Sequence, residues 1–208
     1  MTGLGPSATD QQGSFEGTGF GRMVFFSDAV VAIAIALIVL PLVDKAGDPD
    51  TVTVLQFAQA NGYALVAAAT SFAAIGAFWL RHHTLFCGPV KYSPIVLKVN
   101  LLWLACIVCI PVATILDVGP ARNRGGTSFY LMTIAATMAS SLVLKKCLAL
   151  RDRRHDARRA FFADWSPVFL LVIAAVAVHF APQIGLFGLS ILLLTRPVGR
   201  IVRGRVPA

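Results

Sequence analysis

Arg22, Ser27 and Asp28 put a guanidinium, a hydroxyl and a carboxylate within two helical turns at the mouth of an apolar run. The run from Ala29 to Val43 contains only Ala, Val, Ile, Leu and Pro41. Arg22 alone would serve as a snorkelling anchor. Asp28 lies about one helical turn into the span that opens at Arg22, where an unpaired carboxylate is costly, and Ser27 adds a second polar group. These residues are expected to bond to a neighbouring helix. Trp79, Arg81, His82, His83 and Asn100 offer partners at the ends of two further apolar segments. His82, His83 and Cys87 can also be read as a metal site, but their spacing matches no standard zinc pattern. The spacing instead favours interfacial histidines hydrogen bonded inside a helix bundle, and a pH-sensing role stays open for either.

Other chemistry finds little support. No nucleophile, base and orienting group fall together, no Gly-rich phosphate loop exists, and no carboxylate pair lies within the apolar segments, so an enzyme is not expected. Cys106 and Cys109 form a CxxC pair inside an apolar stretch beside Trp103 and Ile110, which favours packing thiols over redox or zinc chemistry. No cofactor is expected.

The elements that position these groups are transmembrane helices. The 208 residues are 57% hydrophobic and 13% charged, against about a quarter charged in soluble domains. Apolar windows recur six times, and about 20 residues span the hydrocarbon core as a helix. The predicted spans are Arg22 to Val43, Thr53 to Leu80, Ile95 to Leu116, Ser128 to Leu150, Trp165 to Phe180 and Pro182 to Thr195. The last two are short and nearly contiguous, which reads as a tight hairpin. Ala69, Ala73 and Ala77 form a small-residue stripe suited to close helix approach, and Thr133, Thr137 and Ser141 form a hydroxyl stripe expected to pack inward and bond back to carbonyls one turn earlier.

Charge sets the orientation. With a cytoplasmic N-terminus, fifteen Lys and Arg residues fall on the cytoplasmic side and three outside, as the positive-inside rule requires for an even number of spans. The net charge of +8 is therefore an orientation signal, and no nucleic-acid partner is expected. Residues 1–21, rich in Gly, Ser, Thr and Gln, have no h-region and are expected to form a disordered cytoplasmic tail ahead of a six-helix domain over residues 22–205.

On the first helix Ile33, Leu37 and Leu40 share one side by i, i+4, i+7 spacing. Such a face ordinarily meets lipid or a packed core. Several copies around an axis would instead stack the same residues into apolar rings, which gate by dewetting.

Arg22-x-x-x-Phe26-Ser27-Asp28 followed by AVVAIAIALIVL, then FWLRHHTLF, then NLLWLACI with a later proline, resembles the endosomal and lysosomal potassium channel family and its bacterial homologues. The resemblance covers roughly residues 22–116. It implies an all-α integral membrane protein with six transmembrane helices per subunit, the first lining a central pore. A single repeat per chain implies a homotetramer. The family's constriction isoleucine corresponds to Ile33, with lower apolar rings at Leu37 and Leu40. Its signature polar network corresponds to Arg22, Phe26, Ser27 and Asp28 near Trp79, His82, His83 and Asn100. Many bacterial relatives carry a threonine three residues after that isoleucine, where this chain has Ala36, which implies weaker selectivity.

The function this implies is a potassium-permeable cation leak channel with a hydrophobic constriction on the first helix. The expected setting is a bacterial plasma membrane, with both termini cytoplasmic and the lipid bilayer, potassium ions and other copies of the chain as partners. Two alternatives stay open. One is a proton-permeable channel or proton-coupled transporter using Asp28, His82 or His83; the other is a non-conducting membrane scaffold.

Overall fold

A computed structural model describes residues 8–47, 53–87, 93–119, 125–149 and 157–180. Every regular element among them is an α-helix: α1 (Ala8–Ala46), α2 (Val54–Ala60), α3 (Gly62–Phe86), α4 (Pro94–Val118), α5 (Gly126–Ala149) and α6 (Ala157–Phe180). Four are long and apolar enough to cross a membrane, namely α1 from Gly19 onward, α3, α4 and α5. The apolar part of α6, Trp165–Phe180, is shorter. The predicted span from Pro182 to Thr195 lies outside the described residues.

Helix boundaries depart from hydropathy where local chemistry intervenes. Composition assigned residues 1–21 to a disordered tail, but α1 begins at Ala8 and brings fourteen helical residues ahead of Arg22. Once a span has nucleated, extension adds one hydrogen bond per residue fixed, so a polar sequence can prolong it. The predicted second span is broken at Asn61, which has φ −115° and ψ 18°. Asn61 offers Phe57 O both its own N–H, at 2.9 Å, and its side-chain amide, at 3.2 Å. The break is therefore a local departure from helical backbone angles at Asn61, with the hydrogen bonds to Phe57 O kept across it. Ser93 caps α4, with Pro94 at the first helical position, where its missing N–H costs nothing. Gly125, at φ 103°, makes the left-handed turn that starts α5.

Helix α5 is the most enclosed span, packed between α4 and α6, while α1 lies at the other edge against α3 and α4. Ile75, Trp103, Ile107, Ile110, Leu131, Ile134 and Leu171 form the fully buried centre. The hydroxyl stripe on α5 faces inward as expected: Thr133, Thr137 and Ser141 are buried, and each donates to the carbonyl four residues earlier at 2.8–2.9 Å. The alanine stripe of α3 lies on a different face from the one packed within the subunit. Ala69 and Ala73 are exposed and Ala77 is half-buried, while α3 packs through Ala67, Ala68, Ser71, Ile75, Phe78 and His82. Polar partners for Ser71 and His82 on α4 and α5 decide which face turns inward.

Candidate functional site

The buried stripe of α1 is Met23, Ser27, Val31, Ala34 and Ile38. Its spacing of four, four, three and four is the period of a helix laid along its neighbours. Ser27 is the polar member. Its hydroxyl donates to Met23 O at 2.8 Å and accepts Asn100 Nδ2–H from α4 at 2.8 Å. Asn100 is fully buried. Its carbonyl oxygen lies 2.7 Å from His82 Nε2 on α3. An amide oxygen only accepts, so His82 carries its proton on Nε2 in this bond. One chain of hydrogen bonds thus ties three helices.

Aromatic rings hold that chain in place. The His82 ring stacks on Trp103 at 4.1 Å between centroids and 12° between planes, and meets Phe86 at 4.6 Å. His82 and Phe86 are four apart on α3, and Asn100 and Trp103 are three apart on α4, so helical spacing delivers each pair to one place. The Trp103 indole N–H has no hydrogen-bond partner among the described residues, so Trp103 contributes as a flat apolar wall. Beside it, Trp79 Nε1–H donates to Asp28 Oδ1 at 2.9 Å, and the Trp79 ring stacks on His83 at 5.5 Å. Asp28 therefore finds a neutral donor on α3.

The FSD signature divides between two faces of α1. Ser27 and Asp28 turn towards α3 and α4, whereas Arg22 is exposed and Phe26 is 54% exposed, outside the junction. Arg81 is also exposed. Arg22 and Phe26 begin the outward stripe that continues through Ile33, Leu37 and Leu40, which are 60%, 39% and 51% exposed. The described part of the subunit leaves that apolar face of α1 unpacked. Between Ala29 and Val43 it also lacks a side-chain oxygen, because Ala29, Ala36 and Val43 are its other exposed members there and the first carboxylate beyond them is that of Asp44.

A second polar cluster was not anticipated from sequence. Asp117, buried at the far end of α4, accepts hydrogen bonds from Tyr63 OH on α3 at 2.7 Å and from Thr127 Oγ1 on α5. One turn deeper, Ser71 Oγ lies 2.8 Å from Thr114 Oγ1 and 3.2 Å from Tyr130 OH. At this end, then, α3 and α4 are clasped to α5 rather than to α1. The signal available was Asp117 in the ILDVGP segment, one residue beyond the predicted span, but its partners are 54 and 10 residues away. No local pattern joins them.

These geometries fall largely within the part of the chain that has known counterparts. Residues 22–111 match the family described as endosomal/lysosomal potassium channel TMEM175. A potassium channel of Streptomyces collinus is 36% identical over 149 residues, covering 67% of this chain and 71% of the relative. A potassium channel of a Chryseobacterium species is 28% identical over 188 residues, covering 87% of this chain and 95% of the relative. The matched region includes Ser27, Asp28, Trp79, His82, His83, Asn100 and the exposed face of α1. With that similarity extending well beyond the matched motifs, the chain belongs to the TMEM175 potassium channel family.

Proposed function

We propose that this chain is one subunit of a homotetrameric, potassium-permeable leak channel in a bacterial plasma membrane. In this reading each subunit has six spans with both termini cytoplasmic, and four copies of α1 surround the pore. Ile33 forms the narrowest ring, with Leu37 and Leu40 as further apolar rings. Arg22 and Phe26 lie at the cytoplasmic mouth of the same stripe.

The observation that carries this reading is the division of α1 into two faces. One face is bonded to α3 and α4 through Ser27 and Asp28. The opposite face is apolar and unpacked at Ile33, Leu37 and Leu40. A pore helix needs both properties: an anchored back that fixes its rotation, and a front free to meet its symmetry mates. Apolar rings resist water and ions until they widen, so passage follows spreading of the α1 helices. That the two bacterial relatives are potassium channels supports potassium as the permeant ion.

The proton reading has weaker support. Asp28 is held by Trp79, and His82 is buried between aromatic rings and bonded to Asn100. Neither lies on the outward stripe. Purified channel in liposomes separates the readings by reversal potential. A potential that follows the potassium gradient supports the potassium channel, one that follows only pH supports the proton path, and no flux supports the scaffold.

A further inference from the structure

The outward face of α1 poses a chemical problem for any pore built from it. An ion leaving part of its hydration shell needs replacement oxygens, and no side chain from Ala29 to Val43 has one. Backbone is the remaining source. In an unbroken helix backbone carbonyls are occupied, but α1 contains Pro41 and continues to Ala46. Proline has no N–H, and its ring crowds the carbonyl four residues earlier. The carbonyl of Leu37 therefore loses its helical donor.

Its position makes this loss consequential. Helix carbonyls point towards the C-terminus, so the vacant side of Leu37 O opens next to the following turn, at Leu40 and Pro41. Leu37 and Leu40 are both exposed on the unpacked face and Pro41 is half-buried. Pro111 in α4 gives the contrast, because the carbonyl it frees belongs to Ile107, which is fully buried among neighbouring helices. An ion cannot reach that one. Freed backbone is tolerated at membrane depth where it is enclosed by protein or lines a watery cavity. The two prolines fit these two cases.

We infer that the Leu37 main-chain carbonyls, one from each subunit, form a monovalent-cation site about 6 Å beyond the Ile33 ring, four residues at 1.5 Å rise each. The inference rests on the tetrameric pore reading above. Carbonyl rings substitute for hydration oxygens in ion pathways, and non-helical carbonyls coordinate alkali cations at helix breaks. Such a site supplies here, from backbone, the oxygen that Ala36 cannot supply from a side chain.

The test uses the full-length channel in thallous or rubidium salt, with the structure determined and permeation measured on the same preparation. Density for the heavy cation on the axis at the level of Leu37 is expected. Pro41→Ala restores an N–H in a helix-favouring residue, so it should remove that density and lower the potassium-to-sodium permeability ratio at least threefold. Absence of density at this level in the unmodified chain overturns the site, independently of how the variant folds. An unchanged ratio and density in Pro41→Ala also overturns it. Ile33→Asn, measured in parallel, separates the two layers. If it alters permeation while Pro41→Ala does not, the carbonyl site fails and the pore stands; if neither does, the pore reading itself fails.

Discussion

Asn100 on α4 donates its side-chain N–H to the Ser27 hydroxyl on α1 at 2.8 Å, across 73 residues of sequence and with both groups fully buried. Because Asn100 also meets His82, this contact fixes the rotation of α1 about its own axis. That rotation decides which residues point away from the subunit. Lipid supplies little hydrophobic drive for helix association, so such bonds and close packing carry more of the specificity than in water.

The Ser27–Asn100 contact should be measurable as a coupling. Single replacement of either residue by Ala is expected to destabilise the subunit by about 1–3 kcal/mol, since each leaves a buried group unsatisfied. The double replacement should cost less than the sum, with a coupling of about 0.6–2 kcal/mol, the range for interhelical hydrogen bonds in membranes. Unfolding in mixed micelles checks this double-mutant cycle. Strict additivity would mean that the two residues act independently.

Asp117 should matter for stability at the other end of the bundle. Asp117→Ala removes the acceptor of the Tyr63 and Thr127 hydroxyls, at about 1–3 kcal/mol for the buried Thr127. Asp117→Asn keeps one acceptor oxygen and should cost less. Asp44→Ala, on the exposed end of α1, is the control and should stay within about 0.5 kcal/mol. The readout is the thermal midpoint of detergent-solubilised protein. Equal effects at both positions would show that the outer clasp is energetically idle.

Ala36 is exposed beside Ile33 and Leu37. Ala36→Thr therefore adds a hydroxyl to the face assigned to the pore without disturbing the packed side of α1. The expected outcome is a several-fold rise in the potassium-to-sodium permeability ratio, with melting behaviour unchanged. A ratio that does not move would place Ala36 on a surface that ions do not visit.

How far the sequence revealed this arrangement depended on how many partners each residue could have. Polar groups inside apolar spans have few, so Ser27, Asp28, Trp79, His82, His83 and Asn100 could be grouped by membrane level, and the structure brings them together. Arg22 and Phe26, part of the same motif, are on the outward face because the helix period separates them from Ser27. On α3 the alanine stripe did not identify the face packed within the subunit: small residues permit close packing, but the bonds of Ser71 and His82 select the inward face. The break at Asn61 escaped a hydropathy reading because it is a change of backbone angles at one residue, which leaves the apolar content of the segment unaltered. Asp117 escaped because its partners come from α3 and α5.

The central claim is that the outward face of α1 lines an ion pathway narrowest at Ile33. Single-channel recording of Ile33→Asn in planar bilayers tests it most directly. A polar ring should wet the constriction, raising the current and lowering the potassium-to-sodium permeability ratio relative to the unmodified channel. Conductance and selectivity identical to those of the unmodified channel would contradict it and take Ile33 out of the pore.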